Sequence, residues 1–141
     1  MLPIAAWIII IVEFCERLCF YALSGTMKIW LQDQGVANAK ASSIALSFGT
    51  LTYASAFVGG WLATTRLGMF RTILASAAVY VVGTFVAAIA ALPGVENVTL
   101  YNVAFMTLIG FGGGGIKSNV NVFGADQIDE KMSKDSFFIY L

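Results

Sequence analysis

Histidine is absent from this chain, and charged side chains make up only 11% of its 141 residues. Without an imidazole there is no Ser–His or Cys–His pair to generate a nucleophile. Cysteine is nearly as scarce: Cys15 and Cys19 are the whole complement. Their spacing fits neither a redox CxxC nor a zinc site, so they read as two unpaired thiols. Lys plus Arg number 8 and Asp plus Glu number 8, for a net charge of zero. No basic stripe is present to meet phosphates, which argues against nucleic acid as a partner. These absences leave an enzyme, a metal site or an organic cofactor without support.

What the chain has instead is apolar length. Hydrophobic residues make up 59% and mean hydropathy is +0.83, where a soluble domain would carry about 25% charged residues. The fold class this implies is an all-α membrane protein, with a lipid bilayer as its first partner. Four stretches approach the roughly 20 residues that cross a bilayer as a helix. They run over about 3–30, 42–63, 72–92 and 98–122, with Pro93-Gly94 closing the third. No basic segment precedes the first stretch and no small-residue cleavage site follows it, so it reads as an uncleaved span rather than a signal peptide. A fifth apolar run begins near Ser136 and the sequence stops at Leu141. Five residues cannot span a bilayer, so we expect either further sequence after Leu141 or a truncated product.

Lys and Arg set the orientation. Arg66 and Arg71 lie between the second and third stretches, and Lys131 and Lys134 follow the fourth. Pro93–Val98, between the third and fourth, carries neither. The positive-inside rule then places the N-terminus in the cytoplasm.

Against this background EFCER, Glu13 to Arg17, stands out. Glu13, Glu16 and Arg17 fall at i, i+3 and i+4 and share one helix face, and Tyr21 continues the stripe. Each charge near a bilayer centre costs about 2.5–3.5 kcal/mol, which pairing or a wet cavity offsets. Burial disfavours a charged carboxylate and a neighbouring guanidinium favours it, so the balance is switchable. That is the physics of a proton relay. A structural ion pair locking one helix into a bundle is the plainer alternative. Two acids against one base favour the relay, because one carboxylate is left in need of a proton or a second cation.

A second cation exists at Lys117, within GFGGGGIKSNVNVFGADQ, Gly110 to Gln127. Gly112 to Gly115 remove side-chain bulk and let another helix approach closely. They could equally break the helix. Lys117 alone could be a snorkelling anchor, but Asn119 and Asn121 suggest a polar cavity wall. The glycines are not a phosphate cradle, because they follow an apolar helix and lack the P-loop spacing. Tyr53 lies mid-way along the second stretch, where most aromatic residues are packing or interface residues.

EFCER resembles the ExxER motif on the first helix of the proton-coupled oligopeptide transporter family, which includes the plant nitrate/peptide transporters and belongs to the major facilitator superfamily. GGGIKSNVNVFGADQIDE is similar to its second signature, commonly GGIKPxVxxFGADQFDE, and GGWLATTRLGMFRT resembles the superfamily loop between helices two and three. The resemblance implies two six-helix bundles rocking about a central cavity. Residues 1–141 would be an incomplete N-terminal bundle, a partial major facilitator fold of about four transmembrane helices plus the start of a fifth. The remaining C-terminal helices of the same transporter would be its partner. Carried over, Glu13, Glu16, Arg17 and Lys117 would couple protons, with protons as the coupling ion and no cofactor. Tyr21, Tyr53, Arg17 and Lys117 would contact substrate.

The chain departs from the family at several points. Bacterial peptide transporters carry an arginine where Ser24 stands, and ERLCFYALSG looks more like the plant-type ERLxFYGIxxN. Thr64 replaces the usual loop aspartate, Ala56 and Ser118 replace prolines, and Ile128 replaces a phenylalanine. The expected function is proton-coupled symport of small solutes, di- and tripeptides or nitrate, in a plasma or vacuolar membrane. The alternative is a truncated, non-transporting membrane protein, acting as an assembly or regulatory partner or left as a gene remnant.

Overall fold

The computed structural model describes residues 4–126, and they form helices joined by short turns with no strand among them. The fifth helix expected near Ser136 lies outside the described residues. Helix α1 covers Ile4–Asp33, α2 Asn38–Leu67, α3 Met69–Ala90 and α4 Val98–Asp126. The last five residues of α2, Ala63–Leu67, are wound as a π-helix. So is Ala104–Ile109 within α4.

The helix ends follow from local chemistry. α2 runs past Ala63 to Leu67, and the Thr64 and Thr65 hydroxyls donate to carbonyls one turn back, at Gly60 and Trp61. Gly68 then breaks the chain in a single residue, with φ of +79°, which a side chain would resist. α3 ends at Ala90, two residues short of Leu92, because the amides that follow fold into turns. Leu92 N donates to Ile89 O at 3.2 Å, Val95 N to Leu92 O at 3.0 Å, and Asn97 N returns to Ala90 O at 3.0 Å. Asn97 caps α4, its Oδ1 accepting from Leu100 N at 2.9 Å.

α2, α3 and α4 are each long and apolar enough to cross a membrane. α1 has 30 residues, about 45 Å of helix. Glu13, Glu16 and Arg17 interrupt its apolar run, so three helices rather than four meet both requirements.

α4 is the central element. Of its most apolar stretch 56% is buried, against 22% for α2 and for α3. It lies wedged between those two, and the glycines make that possible. A Cβ on Gly112 would come 2.7 Å from Tyr80 N and 2.8 Å from Ser76 O of α3. A Cβ on Gly114 would come 2.6 Å from Thr52 O and 2.8 Å from Ala56 N of α2, and would also strike Ser55 Oγ. Ser55 Oγ lies 2.9 Å from both Thr52 O and Gly110 O, sharing one proton between its own helix and α4. Gly110 directly follows the π-helical stretch of α4.

α1 is held differently. Trp30 stacks on Tyr101 of α4 with centroids 4.0 Å apart, and Tyr101 lies 4.6 Å from Phe105. Phe105 meets Phe48 of α2 edge-on at 5.3 Å, and Phe48 stacks on Phe20 of α1 at 5.5 Å. This aromatic ladder leads from the loop end of α1 back to within one turn of its charged cluster. Offset and edge-on ring pairs of this kind are worth about 0.5–1.5 kcal/mol beyond their buried area.

Candidate functional site

Helical spacing brings Glu13, Glu16 and Arg17 together on the buried side of α1. The Arg17 guanidinium pairs with Glu16 Oε2, and its Nε lies 3.4 Å from Glu13 Oε1. It also lies over the Phe20 ring, 5.3 Å from the centroid. The side chains are 11% exposed for Glu13, 8% for Glu16 and 19% for Arg17. One guanidinium thus serves two carboxylates out of bulk water. Glu13 Oε2 and Glu16 Oε1 remain buried with no hydrogen-bond partner among the described residues. Such oxygens are costly when ionised and tolerable when protonated or met by a second cation.

Lys117 approaches from α4. Its Nζ stands over the Tyr53 ring of α2, 3.9 Å from the centroid, a separation at which ring and ammonium attract. The segment of α4 that carries Lys117 packs against both α2 and α1. The sites drawn from α1, α2 and α4 therefore lie on helices in mutual contact. Lys117 is half-buried as a residue and Tyr53 is 58% exposed, so the Lys117–Tyr53 end is more open than the triad end.

Tyr21 is the residue of the stripe that stays outside. It is 65% exposed, and its ring packs edge-on to Phe20 at 5.8 Å. Among the described residues it joins neither the ion pairs nor the Lys117 contact. Asn119, read as cavity wall, does line a groove of about 490 Å³ between α2 and α4, with Ser118, Gly60 and Trp61. Its amide nitrogen, however, is committed to its own helix, donating to Gly115 O at 2.8 Å and to Ser118 Oγ at 3.0 Å. Among the described residues no cluster of carboxylates and thiols is arranged to hold a metal ion, and Cys15 and Cys19 are free.

The sequence reading passed over Tyr80. It comes from α3, is 8% exposed, and its hydroxyl is buried with no hydrogen-bond partner among the described residues. The signal that marks it is periodic: Thr72, Ser76, Tyr80 and Thr84 recur every four residues in an otherwise apolar helix. Ser76 and Tyr80 of that stripe meet the α4 glycines.

Comparison with known proteins agrees with this assembly. The POT family profile matches residues 70–140, which include the glycine run and Lys117. Peptide transporter PTR_B of Candidozyma auris is 32% identical over 142 residues, covering 92% of this chain and 24% of that protein. Solute carrier family 15 member 2 of Homo sapiens is 32% identical over 143 residues, covering 94% and 19%. Protein NRT1/ PTR FAMILY 8.2 of Arabidopsis thaliana is 34% identical over 145 residues, covering 89% and 25%. The chain spans about a quarter or less of the length of these relatives. With the motifs in order, an all-helical architecture and matches across nearly its whole length, the chain belongs to the POT family.

Proposed function

We propose that this chain is the N-terminal part of a twelve-helix transporter that carries small solutes across a membrane by proton-coupled symport. Di- and tripeptides or nitrate are the solutes, and transport rather than catalysis is the activity. The observation that carries this reading is the triad, in which two buried carboxylates share one guanidinium and keep two oxygens without partners. Relatives named as peptide transporters, and one named for the NRT1/PTR family, support the solute class.

The coupling follows from charge balance. With both carboxylates ionised, Glu13 and Glu16 carry two negative charges against one on Arg17. The excess draws the Lys117 ammonium, carried by the segment of α4 that packs against α1. A proton on Glu16 or Glu13 cancels that excess and weakens the hold on Lys117 and Arg17. A freed cation then suits an anionic group, whether a peptide carboxylate or nitrate. Tyr53, under the Lys117 ammonium, and Tyr21 would contribute to the substrate wall. Glu13, Glu16, Arg17 and Lys117 sum to zero when all are ionised, and a proton alone leaves one excess positive charge. An anionic group of the solute offsets it, so proton and solute together favour closure of the outer side where the proton alone opposes it. The N-terminus would face the cytoplasm, in a plasma or vacuolar membrane.

The test is uptake into liposomes carrying the full gene product. Glu16→Gln should abolish accumulation driven by an inward proton gradient while leaving protein abundance unchanged. Undiminished gradient-driven accumulation in that variant would sink the proposal.

A further inference from the structure

A second concavity lies away from the triad, in the seam between α2 and α3. It measures about 230 Å³, with Val58 and Leu62 of α2 on one wall and Ala75 and Val79 of α3 on the other. Gly112 and Gly115 of α4 form its floor, and their missing side chains give it depth. None of Glu13, Glu16, Arg17, Lys117 or Tyr53 lines it. The hydroxyls that border it are turned to the protein. Ser55 Oγ serves Thr52 O and Gly110 O, Thr72 Oγ1 donates to Gly68 O at 2.9 Å, and Ser76 Oγ is pressed against Gly115. The seam is therefore fitted to hydrocarbon rather than to a polar solute. Val58 is 54% exposed and Val79 39%, so it opens outwards between helices long and apolar enough to cross a membrane.

One end of the seam carries charge. Arg66 stands four residues beyond Leu62 and Arg71 four before Ala75, so each continues its wall by about one turn towards the α2–α3 loop. Both arginines are exposed, and neither forms an ion pair among the described residues. The stretch 63–72 contains no acid. We propose that the seam holds one acyl chain of an anionic phospholipid whose phosphate is met by Arg66 and Arg71. An apolar slot ending at two unpaired guanidiniums matches an amphiphile with a negative head. A zwitterionic lipid fills the slot equally but gains less at the arginines, and a free phosphate has no use for the slot. With the N-terminus in the cytoplasm, as proposed above, this loop meets the leaflet in which anionic lipids lie.

The test uses the purified full gene product in phosphatidylcholine nanodiscs doped with phosphatidylglycerol that carries a photoreactive diazirine in one acyl chain. After illumination, peptide mass spectrometry should place adducts on Val58, Leu62, Ala75 or Val79. Phosphatidylcholine bearing the same label should give far fewer there. Unlabelled phosphatidylglycerol should displace the adducts, whereas glycerol phosphate, a head without chains, should not. In the double variant Arg66→Gln, Arg71→Gln, labelling at low salt should fall roughly thirtyfold, the scale of two charges at a membrane surface. Ala75→Leu keeps both arginines and fills the slot, and it should also cut labelling at the other wall positions. Equal labelling by the two lipids would mean a plain lipid annulus and overturn the proposal. Displacement by glycerol phosphate would make this a phosphate site and overturn it too. Adducts that avoid these positions, because another helix of the full product covers the seam, or labelling unchanged in both variants, would do the same.

Discussion

α1 and α4 meet at the same site but are held by opposite means. α4 is packed backbone to backbone, its glycines pressed against Ser76 and Tyr80 on one side and Thr52, Ser55 and Ala56 on the other. α1 leans on the bundle through a ladder of rings and carries three charges on its buried face. In lipid there is little hydrophobic drive to bring helices together, so close van der Waals fit and shared hydrogen bonds must do it. α4 satisfies that requirement with glycine and hydroxyl contacts and has little freedom to shift. α1 instead carries the groups whose charge can change, supported by side chains rather than interlocked backbone. The difference separates a rigid framework from a chargeable element mounted on it.

The comparison can be broken most severely at its charged side. Arg17→Gln leaves Glu13 and Glu16 facing each other without their guanidinium. Removing one member of a buried ion cluster costs about 3–5 kcal/mol, so thermal unfolding in detergent should show the largest loss of any single change here. Adding Glu16→Gln and Glu13→Gln to that variant should recover much of it. An Arg17→Gln protein as stable as its parent would mean that the triad is hydrated rather than buried.

The framework side is tested at Gly114. One methyl group there would sit 2.6 Å from Thr52 O and 2.8 Å from Ala56 N, both backbone atoms that cannot swing aside. Gly114→Ala should therefore cost about 1–3 kcal/mol by overpacking, read as a lower unfolding temperature and a smaller monodisperse fraction. Gly25→Ala, where nothing stands within 4 Å of the added carbon, is the matched control and should be neutral or mildly stabilising. A smaller effect is expected at Ser55, whose hydroxyl joins α2 to Gly110 O at 2.9 Å. Ser55→Ala should cost about 1 kcal/mol, enough to lower the unfolding temperature without changing the fold. If Ser55→Ala proved more damaging than Gly114→Ala, the joint would depend on that hydrogen bond rather than on glycine fit.

Much of this was legible in the sequence, and the limits have physical reasons. Glu13, Glu16 and Arg17 could be placed on one face because i, i+3 and i+4 are geometry internal to a helix. Gly112 to Gly115 announced a close approach by their lack of side chains, though not that α2 and α3 would share it from two sides. The approach of Lys117 to Tyr53 is tertiary, and nothing within either helix encodes it. Tyr80 was missed for a related reason. A tyrosine in an apolar helix reads as packing, and only the approach of α4 shows that its ring lies against the glycine run while its hydroxyl is buried with no hydrogen-bond partner among the described residues. Tyr21 shares the stripe with Arg17, but a four-residue step also rises about 6 Å, and that step sets it at a 65% exposed position beside Phe20 rather than among the ion pairs. The extension of α2 into the π-helical Ala63–Leu67 was hidden because ATTRL carries no apolar periodicity and threonine serves loops as readily as helices.

The measurement that meets the central claim most directly is simultaneous recording of internal pH and solute content in liposomes carrying the full gene product. Adding peptide or nitrate outside, with no pre-set pH gradient, should acidify the interior as solute enters. In Glu16→Gln the acidification should vanish while residual solute exchange persists. Solute entry without acidification in the parent, or acidification that survives in Glu16→Gln, would contradict the assignment of proton coupling to the α1 triad.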